Sequence, residues 1–205
     1  MGRNGARVAI LASGSGTNAE RLMQAAGEEP DIEVVLVGCN RPGAAVLERA
    51  ERWGIETWLF NRQALTSGGV EARLRDMKVD FVALAGFLMK VPDGLVAAYP
   101  GRMLNLHPSL LPAFGGKGMY GRHVHVAVAQ AVAEGRVNET GITLHWVDAD
   151  YDTGPAFFQA TVALEAGVDA ESIADKIHRL EAEHYAPQTL RAIRESLSLP
   201  DPAVG

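Results

Sequence analysis

Residues Arg7 to Ala12 form a short, uninterrupted apolar run that passes directly into Ser13-Gly14-Ser15-Gly16-Thr17-Asn18, and a helical pattern from Ala19 to Ala26 follows. Few folds accept that order. A strand that is apolar on both faces must be covered on both, which places it inside a parallel sheet and not at a solvated edge. The glycine-rich stretch allows a tight turn and presents backbone N–H groups at the positive end of a helix.

The unit recurs along the chain. Glu33 to Cys39 reads as a second buried strand, followed by Asn40-Arg41-Pro42-Gly43 and a helix from Ala44 to Trp53, with Gly54 as the residue that ends it. Ile55 to Phe60 is a third strand, Val70 to Met77 a helix, Asp80 to Ala85 a fourth strand, and Val91 to Tyr99 a short helix leading to a strand over Met103 to His107. This alternation predicts an α/β, Rossmann-like single domain: a mostly parallel, twisted sheet with right-handed crossovers and helices on both faces. The pattern then changes. After a loop over Ala113 to Gly121 and a helix from His123 to Glu134, Thr140 to Val147 and Pro155 to Val162 read as an antiparallel strand pair joined by Asp148 to Gly154. The last element spans Asp169 to Leu197, with Ile173, Ile177, Leu180 and His184 on one stripe and Pro187 as a kink or restart.

Composition narrows the classes of function. The 205 residues, 47% of them hydrophobic, suffice for one full core. A net charge of −6 without a basic run argues against a nucleic-acid surface. The single cysteine, Cys39, excludes an internal disulfide and fits a reducing compartment. No apolar run approaches a membrane span, and Met1 to Gly5 lacks the apolar core of a signal peptide, so a cytoplasmic location is expected.

Chemistry is expected where Leu104 and Leu106 alternate with Asn105 and His107, because side chains two apart on a strand share a face. Pro108 ends the strand, so His107 sits at its C-terminal end, the edge at which open α/β sheets bind ligands. A lone histidine capping a strand would look the same; convergence with other polar groups decides between them. Asp152 is the leading partner, since Gly154-Pro155 fixes a turn that aims its carboxylate inward, where it would raise the imidazole's pKa. Asp148 and Asp150 read as members of a solvated hairpin loop, because the glycine and downstream glutamate of a calcium loop are misplaced. His123 and His125 are a poor metal set and read as helix-start residues, while His145 and His178 read as structural. The glycine loop also fits a dinucleotide pattern, and Arg41 at the end of the second strand keeps an NADP-binding reading open.

Taken together, Ser13 to Asn18, Asn40-Arg41-Pro42-Gly43, Leu84-Ala85-Gly86-Phe87, Asn105 to Pro112 and Asp152-Thr153-Gly154-Pro155 resemble the glycinamide ribonucleotide transformylases, folate-dependent formyltransferases of purine synthesis. The likeness runs from about Val8 to Leu190. It implies one formyltransferase domain over 1–205, with a nucleotide-phosphate half at about 7–100 and a folate and catalytic half at about 101–197. It implies transfer of a formyl group from 10-formyltetrahydrofolate, a cosubstrate, to the amine of glycinamide ribonucleotide, with no metal. Asn105, His107 and Asp152 would be catalytic, with Thr143 holding a relay water. Gly16, Thr17 and Asn18 would bind the phosphate and Glu181 the ribose, with Glu183 a competing assignment and Arg62 the candidate basic residue. Leu88, Met89, Lys90, Val91, Asn105, Ala149, Asp150 and Asp152 would line the folate pocket. Small-molecule partners are implied, without nucleic acid or membrane, for a monomer or homodimer. Two relatives share the Asn-x-His strand: the initiator methionyl-tRNA formyltransferase, which adds a basic domain, and formyltetrahydrofolate deformylase, which adds a regulatory one; chain length is expected to separate them. Deformylation remains the alternative activity.

Overall fold

A computed structural model describes residues 5–198; residues 1–4 and 199–205, and with them most of the polar opening read above, lie outside the described residues. Seven strands form one sheet: β1 (Ala6–Ala12), β2 (Ile32–Cys39), β3 (Thr57–Leu59), β4 (Phe81–Leu84), β5 (Met103–His107), β6 (Glu139–Trp146) and β7 (Ala156–Ala163). Their order is β3-β2-β1-β4-β5-β6-β7. The first five are mutually parallel, whereas β6 runs antiparallel to both β5 and β7.

Alternation along β1 shows why both faces are covered. Val8, Ile10 and Ala12 enter one apolar layer, with α1 (Thr17–Gly27), α2 (Ala45–Arg52), α6 (Arg122–Ala133) and α7 (Ala170–Leu197). Ala9 and Leu11 enter the other, with α3 (Arg62–Thr66), α4 (Gly69–Asp76) and α5 (Asp93–Ala98). Burial of a single leucine or isoleucine in such a layer contributes about 1.5–3 kcal/mol.

Two local readings are corrected, and one element, α3, is not anticipated by the sequence pattern: Asn61 caps it by accepting the Ala64 N–H at 2.9 Å. Helix α7 runs through Pro187 without a restart, and the element assigned to Ile55–Phe60 shortens to β3 at the sheet's edge. Among the described residues no helix is long and apolar enough to cross a membrane.

The chain goes outward from β1 to β2 and β3, then returns to β4 on the other side of β1. The switch point therefore lies between the C-terminal ends of β1 and β4, where such sheets open a crevice. Ser13 ties it together: its N–H donates to Gly86 O at 3.1 Å, its hydroxyl donates to Asn40 Oδ1 at 2.6 Å, and it accepts the Leu88 N–H at 3.0 Å.

Candidate active site

The crevice widens into a cavity of about 560 Å³. The glycine loop Gly14 to Asn18 and Ala85 to Leu88 wall one part of it, Asn105 to Pro108 and Gly116 to Gly121 another, and Tyr151, Asp152, His178 and Glu181 close it.

At the glycine loop, Gly16 has φ 76°, and a Cβ there would lie 2.5 Å from the Val46 side chain. Glycine is thus required by both dihedral and space. It delivers the chain into α1, whose first-turn N–H groups lack helical acceptors, a geometry suited to an anion. The Asn18 amide bridges elements, accepting from Arg21 Nη1 at 2.8 Å and donating to Glu181 Oε2 at 3.0 Å. Burial raises the Glu181 pKa, opposed by Asn18, His178 and Arg21. Glu183, two residues on, is exposed beside His184 and does not line the cavity. Neither does Arg62, which starts α3 beyond the sheet edge; Lys117 is the cavity's lysine and has no ion pair among the described residues.

Strand β5 delivers Asn105 and His107, and β6 stands directly opposite: Asn105 pairs with His145 and His107 with Thr143. His107 is 3% exposed, with Nε2 2.7 Å from Phe114 O. A carbonyl only accepts, so Nε2 carries the proton and Nδ1 is the ring's lone pair when neutral. Nδ1 lies 3.5 Å from Asp152 Oδ2. Burial lowers the His107 pKa and outweighs the attraction of Asp152 and the Phe114 carbonyl bond, with His145 adding to the lowering. The expectation that Asp152 keeps the ring charged is therefore corrected for the free protein. Burial raises the Asp152 pKa, opposed by His145 and His107 when they carry charge and by the Gly116 N–H at 2.9 Å, and the net shift is downward. Of the pair, Asp152 is the member whose charge the surroundings favour and His107 the member whose charge burial opposes.

Thr143 differs from its expected role. Its hydroxyl donates to Ser109 O at 2.7 Å and accepts from Leu111 N at 3.0 Å and Gln159 Nε2 at 2.9 Å. A hydroxyl has one donor and two acceptor sites, so none is left for a relay water. Thr143 fixes the turn after His107 instead.

Of the expected folate-pocket residues, Leu88, Asn105 and Asp152 line the cavity and Met89, Lys90, Val91, Ala149 and Asp150 do not. Val91 is buried in the second core layer, with Met89 packed against it, and Lys90 reaches Asp150 at 3.9 Å on the exposed surface. Three histidines read as structural or as helix-start residues belong to the site: His125 and His178 line the cavity, and His145 Nε2 lies 3.0 Å from Asn105 Nδ2 and 3.5 Å from Asp152 Oδ1. His125 offered one signal, a second polar residue in an apolar helix, but helix rotation could not be read from the sequence.

The formyl transferase family model matches residues 6–189. The chain belongs to the formyl transferase family. It is 38% identical over 186 residues to the phosphoribosylglycinamide formyltransferase of Bacillus subtilis, covering 87% of this chain and 90% of that one. It is 36% identical to the chloroplastic phosphoribosylglycinamide formyltransferase of Arabidopsis thaliana, covering 87% of this chain but 61% of that longer protein. The crystal structure of glycinamide ribonucleotide transformylase 1 from Symbiobacterium toebii superposes with a TM-score of 0.81 at 32% identity, over 96% of this chain and 90% of the other. These likenesses give no support to the NADP or deformylase readings, and Asn40, where a dinucleotide site would hold its ribose, is taken up by Ser13.

Proposed function

We propose that this formyl transferase moves the formyl group of 10-formyltetrahydrofolate onto the amine of glycinamide ribonucleotide, a step of purine biosynthesis. The observation that carries this reading is one continuous cavity with an anion-binding glycine loop on one wall and Asn105, His107 and Asp152 converging on another. The part over about 7–100 supplies the phosphate seat, and the part over about 101–197 supplies the catalytic groups and, through Glu181, the ribose acceptor.

Gly16, Thr17 and Asn18 hold the phosphate with backbone N–H groups and a helix dipole, which lets a chain of net charge −6 bind an anion. Glu181 accepts from the ribose hydroxyls. Leu88 and the turn at Asp152 face the folate. Attack of the amine on the formyl carbon turns the carbonyl oxygen into an oxyanion, to which the Asn105 Nδ2–H donates. The amine must lose a proton in the same step. His107 Nδ1 is the available lone pair and takes it, and Asp152 stabilises the imidazolium that results. The Nδ1–H then returns its proton to N10 as the C–N bond to the folate breaks, which regenerates neutral His107.

The test follows 10-formyltetrahydrofolate spectroscopically with and without glycinamide ribonucleotide. Consumption that requires the ribonucleotide is expected. Equal folate turnover without the amine acceptor would establish a deformylase and overturn the reading.

A further inference from the structure

We infer that His145 is a positioning residue for this reaction: its imidazole determines which end of the Asn105 amide faces the formyl group. The inference rests on the proposed role of Asn105 as oxyanion donor. The two residues are directly opposite in the antiparallel β5–β6 register, so their side chains rise as neighbours from one face of the sheet. His145 is 2% exposed and draws its partners from the protein.

Its Nδ1 lies 3.0 Å from the Trp146 carbonyl oxygen. Because that oxygen only accepts, Nδ1 bears the proton, and in the neutral ring Nε2 is a lone pair; Asp152 Oδ1, 3.5 Å from it, is a carboxylate oxygen that cannot donate to it, so the Asn105 amide is the donor within reach. The lone pair is 3.0 Å from Asn105 Nδ2. An amide oxygen in that place would set two acceptors against each other, so the amide is held with its NH2 toward the ring. Of the two hydrogens on Nδ2, His145 takes one and the other remains for the oxyanion. Among the described residues no other side chain bonds the Asn105 amide. Without His145 the amide is free to turn, and half of its orientations present an oxygen to the developing negative charge. The Trp146 carbonyl is therefore part of the device: it selects the tautomer, the tautomer selects the amide orientation, and the orientation provides the donor.

Two substitutions separate these links. His145→Gln places an oxygen near the Nε2 position and gives up the bond to Trp146, whereas His145→Asn keeps a donor near Nδ1 and gives up the acceptor for Asn105. Both are compared with Asn105→Ala and with the His145→Asn, Asn105→Ala double variant in the full-length enzyme, recording kcat, both KM values and thermal midpoint. His145→Asn is expected to lose roughly 10²-fold in kcat, as for removal of one oxyanion donor. Its KM values are expected to move less than about threefold, because ground-state contacts survive. His145→Gln is expected to retain at least about tenfold more kcat than His145→Asn. The double variant is expected to be within about twofold of Asn105→Ala, since both substitutions remove the same interaction. A glutamine variant slower than the asparagine variant, or losses that multiply in the double variant, overturns the inference. Should His145→Asn fail to fold, His145→Gln in the Asn105→Ala background decides it: any kcat loss seen in the wild-type background must vanish there. If Asn105→Ala itself keeps wild-type kcat, the oxyanion reading fails and not the positioning argument alone.

Discussion

Asp152, to which the proposed mechanism assigns stabilisation of the imidazolium, is also a backbone exception, with φ 58° in the left-handed region that disfavours most side chains. Asparagine tolerates that region better than alanine. Asp152→Asn is therefore expected to fold like the wild type, bind the nucleotide normally and lose about 10⁴ in kcat, as when the carboxylate behind a catalytic imidazole becomes an amide. Full activity in this variant would remove Asp152 from the mechanism. Asp152→Ala should lose stability as well as activity, which a denaturation midpoint distinguishes. Glu181 calls for a different readout. The ribose contact proposed for it would persist through the reaction, so Glu181→Gln is expected to raise KM for the nucleotide roughly 10–100-fold, as for a lost charged hydrogen bond, with kcat little changed. A kcat loss with unchanged KM would place Glu181 at the chemistry instead.

The elements show how far the chain is legible. The Asn105-x-His107-Pro108 strand and the Asp152-Thr153-Gly154-Pro155 turn are local patterns, fixed by period-two alternation and by proline and glycine dihedrals, and the structure brings their polar groups together. His145 is 40 residues from Asn105, and its meeting with it depends on the β5–β6 register, which a one-residue slip would abolish. The orientations of His125 on α6 and His178 on α7 depend likewise on helix packing that no local pattern determines. Gly154 exposes the dependence of the site on strand closure. A Cβ there would stand 1.8 Å from Trp146 O, a backbone atom that cannot move aside without opening the bond from Trp146 N–H to Pro155 O at 3.0 Å. Gly154→Ala is therefore expected to destabilise the protein by at least about 2 kcal/mol in chemical denaturation. It should also displace Asp152, so kcat falls even where the variant remains folded. Wild-type stability in this variant would show that the strand junction yields more easily than its geometry implies.

At the scale of the molecule, the alternating apolar runs specified the doubly wound sheet, because a strand buried on both faces admits few surroundings. They did not specify how burial would set the charge states within it. Burial lowers the pKa of His107, and burial together with His178 lowers that of His125, whose Nδ1 is enclosed with no hydrogen-bond partner among the described residues. A histidine with a depressed folded-state pKa contributes stability that is present above its unfolded value, about 6.5, and is lost as pH falls toward the folded value. Within that window the unfolded chain binds the extra proton, so each histidine lowers stability by at most about 1.4 kcal/mol per pH unit. Asp152, also depressed, acts in the same direction but only near and below about pH 4. Glu181 opposes them: its raised pKa favours the fold below about pH 4.3, an advantage lost as pH rises through the folded value. Below about pH 6.5 the two histidines act in the same direction and Glu181 alone among these groups opposes them. Calorimetry across that interval should show the thermal midpoint falling with pH, and His125→Gln should flatten part of the slope because its side chain has no proton to gain. A midpoint that stays level or rises from pH 7 to pH 5 would mean that both histidines remain free to charge inside the fold, and would return His107 to the role of a resting cationic donor.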